Sequence, residues 1–170
     1  MRRTLLACWI GALLPFATVV AQDSASRQSV SWGIMAGGDF TTGKASNPQS
    51  SGATVGVLAQ FPIESSHFAI RLDAMFHYLP VNCGSFAVCS PGTPGSLSAN
   101  VVARLNSSAT RWSPYAIAGV AGFLNEYWSF GLAGGAGFEV GDAKHALFLE
   151  ARYMRMAAAG LVPVTLGVRF

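Results

Sequence analysis

The sequence predicts an all-β fold: an eight-stranded antiparallel up-and-down β-barrel that crosses a membrane. Three observations carry this expectation. First, of 170 residues 51% are hydrophobic and 11% charged, against roughly 25% charged in an ordinary soluble domain, and the mean hydropathy is +0.39. Second, beyond the leader no apolar run approaches the roughly 20 residues that a helical span needs. Third, the same stretch divides into eight segments whose side chains alternate with period two. So hydrophobic a chain cannot be a disordered one. A sequence pI near 9.0 rests on few charges with no basic cluster, which argues against nucleic acid as a partner.

Residues 1–21 read as a secretory signal peptide. Arg2 and Arg3 supply the positive start, Leu5 to Leu14 the apolar stretch, and Val19-Val20-Ala21 a small-residue cleavage site before Gln22. The apolar stretch is short for an anchor. Leu5-Leu6-Ala7-Cys8 looks like a lipidation site but comes too early. Without Arg2 and Arg3 the eleven basic residues become nine, against eight acidic ones, so the basic balance says nothing of an acidic partner. Residues 22–170 form the barrel domain. Its two cysteines, Cys83 and Cys89, read as a local disulfide in an exported chain; no neighbouring His or Cys completes a metal site.

The eight segments follow in order. The first, 30–40, sets Val30, Trp32, Ile34, Ala36 and Phe40 against Ser31, Gly33, Met35, Gly37 and Asp39. The second, 53–61, sets Ala53, Val55, Val57, Ala59 and Phe61 against Thr54, Gly56, Leu58 and Gln60. In the third, 68–78, Phe68, Ile70, Leu72, Ala74, Phe76 and Tyr78 alternate with Ala69, Arg71, Asp73, Met75 and His77, a separation that a strand makes and a helix does not. The fourth places Leu97, Ala99, Val101, Ala103 and Leu105 opposite Ser98, Asn100, Val102, Arg104 and Asn106. In the fifth, 115–123, Tyr115, Ile117, Gly119, Ala121 and Phe123 face one way and Ala116, Ala118, Val120 and Gly122 the other. The sixth, 128–140, sets Trp128, Phe130, Leu132, Gly134, Ala136, Phe138 and Val140 against Ser129, Gly131, Ala133, Gly135, Gly137 and Glu139. The seventh opposes Leu147, Leu149, Ala151 and Tyr153 to Phe148, Glu150, Arg152 and Met154. The eighth opposes Val162, Val164, Leu166, Val168 and Phe170 to Pro163, Thr165, Gly167 and Arg169. Pro114 and Pro163 must sit near strand ends or irregularities.

Closing eight such strands removes exposed sheet edges. Period two alone does not say which face points outward, since a soluble lipocalin-like barrel alternates too. The second face decides: it is mostly Gly, Ala and Ser with isolated charges, which suits a cramped lumen and not a water-facing surface. The apolar face is broad and nearly charge-free, as lipid contact requires. Aromatic residues support this. Trp32, Phe61, Phe68, Tyr115, Phe138 and Phe170 lie near one end of their strands, and Phe40, Phe76, Tyr78, Phe123, Trp128 and Tyr153 near the other, as two interfacial belts.

With these residues in place, the chain resembles the small outer-membrane β-barrels of Gram-negative bacteria, of the OmpX-like and OmpA-transmembrane-domain-like kind, over about residues 27–170. The most specific part is 161–170, alternating apolar residues that end in Phe170, which resembles the signal read by the outer-membrane assembly machinery. The resemblance implies an outer-membrane location, both termini in the periplasm, contact with outer-membrane lipid, and a monomer without cofactors. No OmpA-type peptidoglycan-binding domain is expected after Phe170. The links 41–52, 79–95, 124–127 and 157–160 would then face outside, and 62–66, 107–110 and 141–144 would be periplasmic turns. The long links 41–52 and 79–95 are the surfaces through which a partner would be met; Cys83, Cys89, Pro91 and Pro94 would stiffen the second.

The expected lumen charges balance: Arg71, Arg104, Arg152 and Arg169 against Asp39, Asp73, Glu139 and Glu150, with His77 beside them. Eight strands enclose little more than side chains, and buried charges must pair, so an ion-paired plug is expected. The rival is a narrow pore, with Gly131, Ala133, Gly135 and Gly137 leaving one wall thin. Catalysis is not expected. His77 and Asp73 share a face but stand about 13 Å apart by strand rise, beyond proton-transfer reach. His67 and His145 sit near turns. Small-barrel outer-membrane lipid deacylases use a His and a Ser two apart on one strand, and no His-x-Ser occurs here; Ser65-x-His67 has the reverse order.

Overall fold

The structure, a computed structural model, describes residues 30–42, 51–63, 67–80, 94–105, 112–124, 128–141, 145–155 and 160–170. It contains β1 (Ser31–Thr42), β2 (Ser51–Pro62), β3 (Phe68–Tyr78), β4 (Gly95–Arg104), β5 (Trp112–Leu124), β6 (Trp128–Gly141), β7 (Ala146–Arg155) and β8 (Gly160–Arg169). Each strand pairs antiparallel with the next, and β8 returns to β1, closing the barrel. The β1–β8 seam continues past the last strand. Phe170 N–H donates to Trp32 O at 2.7 Å and Trp32 N–H to Phe170 O at 2.8 Å. Residues 1–21, expected to be a signal peptide, and the cysteines Cys83 and Cys89 lie outside the described residues.

Seven of the eight segments have the facing that their alternation predicts. On β3, Ala69, Arg71, Asp73, Met75 and His77 are buried while Phe68, Ile70, Leu72, Phe76 and Tyr78 are exposed. The outward face is apolar around the wall, with Ile34, Val57, Leu72, Val101, Val120, Leu132, Leu149 and Leu166 all open. Large apolar side chains left open in such numbers need a non-aqueous neighbour, so the barrel is of the transmembrane type. Aromatic residues edge this band. Trp32, Phe68, Trp112, Phe138 and Phe170 surround the end where β1 starts and β8 finishes, called here the terminal end, and Phe40, Phe76, Tyr78, Trp128 and Tyr153 the far end. Trp112 meets Phe138 edge-on at 6.4 Å, and Trp128 stacks on Phe130 at 6.2 Å.

Strand β5 corrects the belts. Tyr115 and Phe123, expected among the interfacial aromatics, are 3% and 2% exposed and point into the lumen with Ile117 and Ala121. Ala116, Ala118 and Val120 face outward. Both faces of β5 are apolar, so its own alternation does not choose between them. Register chooses: Tyr115 stands opposite Gly137 on β6, Gly119 opposite Asn100 on β4, and each glycine makes room for a large lumen side chain. A Cβ on Gly137 would lie 2.6 Å from the Tyr115 ring and hydroxyl.

The lumen is also more apolar than its glycines, alanines and serines suggest. Met35, Leu58, Met75 and Phe148 pack together, as do Ala69, Val102, Tyr115 and Ile117; toward the far end Ala121, Phe123, Ala133, Met154 and Leu161 form a third cluster that Leu79 joins. Pro114 and Pro163 fall near the starts of β5 and β8, where a missing N–H disturbs the ladder least.

Candidate functional site

The lumen charges form three groups along the barrel axis. The central group begins with two short patterns, Arg71-x-Asp73 on β3 and Glu150-x-Arg152 on β7. Spacing of two puts both members of each pattern on the inward face. β3 and β7 stand four strands apart whichever way the closed sheet is followed, on opposite walls, and they run in the same direction. Because the charge order is reversed between them, Arg71 meets Glu150 and Asp73 meets Arg152. Arg71 Nη1 donates to Glu150 Oε2 at 2.9 Å and Arg71 Nε to Asp73 Oδ1 at 2.7 Å. Arg152 Nη1 and Nη2 donate to Asp73 at 2.9 and 3.1 Å, and Arg152 Nε to Glu150 Oε1. All four are buried.

Neutral groups complete this brace. Tyr115 Oη donates to Glu150 Oε2 at 2.8 Å, Asn100 Nδ2 to Asp73 Oδ2 at 2.7 Å and Ser98 Oγ to the same oxygen at 3.2 Å. The Arg71 guanidinium lies 5.2 Å over the Phe148 ring, a cation–π contact. Two positive and two negative charges cancel, and each keeps charge-assisted partners. Such a cluster gains little over apolar packing, but losing one member is costly. The space beside Gly137 that would thin the wall is taken by Tyr115, and that beside Gly119 by Asn100.

Toward the terminal end, Arg104 Nε donates to Glu139 Oε1 at 2.9 Å and Arg169 Nη2 to Glu139 Oε2 at 3.2 Å, while Arg169 Nη1 donates to Ser31 Oγ at 3.3 Å. Between this group and the brace lies a cavity of about 10 Å³ lined by Leu58, Gln60, Arg71, Val102, Tyr115, Glu139, Phe148 and Arg169. That is room for a single water.

Toward the far end, His77 is joined not by Asp73 but by Asp39. His77 Nδ1 lies 2.8 Å from Asp39 Oδ2, and its Nε2 lies 2.9 Å from Ser96 Oγ. Asp39 comes from β1, His77 from β3 and Ser96 from β4. Gly52 and Thr54 on the intervening β2 keep side chains short between the first two.

Every charge assigned to the lumen from sequence is therefore found there: Asp39, Arg71, Asp73, His77, Arg104, Glu139, Glu150, Arg152 and Arg169. Their partners Tyr115, Ser96, Ser98, Asn100 and Ser31 are not evident from sequence, apart from the shared inward parity of the serines and Asn100. His67 directly precedes β3, where its carbonyl accepts the Arg104 N–H at 2.8 Å, and His145 directly precedes β7. Among the described residues no cluster of three His, Cys, Asp or Glu could hold a metal ion.

Comparison with solved structures places the fold. The chain is similar to Neisserial surface protein A, with a TM-score of 0.65 at 14% identity, over 82% of this chain and 95% of that one. It is similar to Ail, the attachment invasion locus protein of Yersinia pestis, with a TM-score of 0.54 at 15% identity, over 84% and 99%. A major outer membrane protein from Thermus thermophilus aligns with a TM-score of 0.53 at 11% identity, over 84% and 99%. No protein-family profile and no curated protein sequence matches the chain. At these identities the likeness is one of fold, and the fold is that of the small eight-stranded outer-membrane barrels.

Proposed function

We propose that this chain is an integral outer-membrane barrel with a structural or surface-interaction role, its lumen closed by the charge-paired network. The observation that carries the reading is the brace of Arg71, Asp73, Glu150 and Arg152, which ties opposite walls together inside a belt of open apolar side chains. A conducting path would need room where these side chains meet. In this reading residues 1–21 are removed on export, the terminal end faces the periplasm, and Phe170 ends the segment that the assembly machinery reads. No lipid-deacylating chemistry belongs to this role.

Links 41–52 and 79–95 would carry the surface contacts. Their sequences hold a single charge, Lys44, among Ser, Thr, Gly, Asn and Pro, with Val81, Phe86 and Val88 in the second, so a partner would be met by hydrogen bonds, shape and apolar contact and not by a charged patch. A Cys83–Cys89 disulfide would hold the second link. Ail, a barrel of this fold, has been crystallised with the heparin analogue sucrose octasulfate; these two links lack the positive charge for such a ligand.

Two measurements test the reading. Fractionation should place the protein in the outer membrane with heat-dependent gel mobility; a soluble periplasmic protein of unchanged mobility would overturn it. In planar bilayers the purified barrel should show no steady conductance, and a reproducible single-channel step would favour the narrow-pore reading.

A further inference from the structure

In the far-end group three side chains from three strands meet in a fixed order. Asp39 Oδ2, His77 Nδ1, His77 Nε2 and Ser96 Oγ form one chain of contacts at 2.8 and 2.9 Å. A carboxylate can only accept, so Nδ1 carries the proton that it receives. In the neutral form of the ring Nε2 then presents its lone pair to the Ser96 hydroxyl, the arrangement by which a buried carboxylate fixes a tautomer and a histidine activates a serine. A pH-operated latch is a poorer account of the same contacts. The Ser96 hydroxyl can turn from donor to acceptor, so protonating the ring would leave both contacts in place.

All three residues are buried, Asp39 and His77 at 0% and Ser96 at 4% exposure, and Ser96 ends the chain of contacts. The neighbour of Ser96 across the sheet is apolar. Ser96 stands opposite Phe123 on β5, the Phe123 ring lies 6.4 Å from the His77 ring, and Met154, Leu161 and Leu79 pack with Phe123.

We propose that Ser96 is a base-activated nucleophile and the site of covalent acylation by short-chain apolar acyl esters. Ser96 Oγ bonds to the acyl carbon as its proton passes to His77 Nε2. The ester C–O bond breaks, and the leaving alkoxide takes that proton from His77, returning the neutral ring. Asp39 acts as a positioning residue through the ring. This activity goes beyond the surface role and does not depend on it.

The test uses the folded, detergent-solubilised protein, with heat-dependent gel mobility as the check on folding. A fluorophosphonate probe and p-nitrophenyl acetate are each added, and adducts are located by peptide mass spectrometry. The expected result is an adduct on Ser96 that Ser96→Ala abolishes. Asp39→Asn, which can donate to Nδ1 and so turn the Nε2 lone pair into an N–H, should slow labelling about a hundredfold or more while gel mobility is kept; Asp39→Glu should restore part of the rate. An unlabelled Ser96 in the folded protein would overturn the proposal, as would equal labelling of the Asp39→Asn variant. Should the phosphonate prove too bulky, Ser96→Cys supplies a second readout. Its thiol should be alkylated by iodoacetamide at a pH where free cysteine is unreactive, and a thiol no faster than free cysteine sinks the claim.

Discussion

Arg71 and Glu150 stand 79 residues apart in the chain and 2.9 Å apart across the lumen. Removing one leaves the other buried with a partner short, so Arg71→Met should cost about 3–5 kcal/mol of stability. Arg71→Met with Glu150→Met leaves the neutral pair Asp73 and Arg152, and should cost less than the sum of the two single changes, by about 0.5–3 kcal/mol. Urea unfolding in lipid vesicles reads both; additive costs would show that the two do not act as a unit. Gly137→Ala probes the same brace from its rim. The new methyl would fall 2.6 Å from Tyr115, push the phenol off Glu150, and cost about 1–3 kcal/mol. The ionisable lumen positions were legible in the sequence, because a charge on an inward parity has no alternative place in such a barrel. The pairing among them was not legible, because it depends on which strands face each other across the diameter.

Among the elements, β3 and β5 mark the two extremes. On β3 one face is wholly apolar and the other carries Arg71, Asp73 and His77, so alternation alone sets the facing and the strand limits. On β5 neither face carries a charge, and a one-step error turns every side chain to the wrong side. Its facing is fixed by neighbours, through Gly137 opposite Tyr115 and Asn100 opposite Gly119. Single cysteines carrying a fluorophore provide the check. In vesicles with quencher-bearing lipids, Ala118→Cys should be strongly quenched and Ile117→Cys should not; the reverse result would return Tyr115 and Phe123 to the interfacial belts.

For the molecule as a whole, closure is the decisive feature. Backbone groups of an open edge would lie unpaired in hydrocarbon, each at a cost of several kcal/mol, and the β1–β8 ladder from Gly33↔Arg169 to Thr42↔Gly160 removes that edge. Deleting 167–170 takes away the terminal end of this seam, including the two Phe170–Trp32 hydrogen bonds and the Arg169 contact with Glu139. The truncated chain is expected to lose heat-dependent mobility and to fail to assemble, whereas full mobility would show that closure tolerates an open corner.

The strand count, the facing of seven strands, the apolar outside and the set of charges within are all legible along the chain, since period two and the expense of charge in lipid act locally along each strand. The facing of β5, the reversed pairing of Arg71-x-Asp73 with Glu150-x-Arg152, and the meeting of Asp39, His77 and Ser96 arise only in the closed barrel. Those relations join one strand to another, and they follow from where ring closure and register bring each strand, which no periodicity within a strand records.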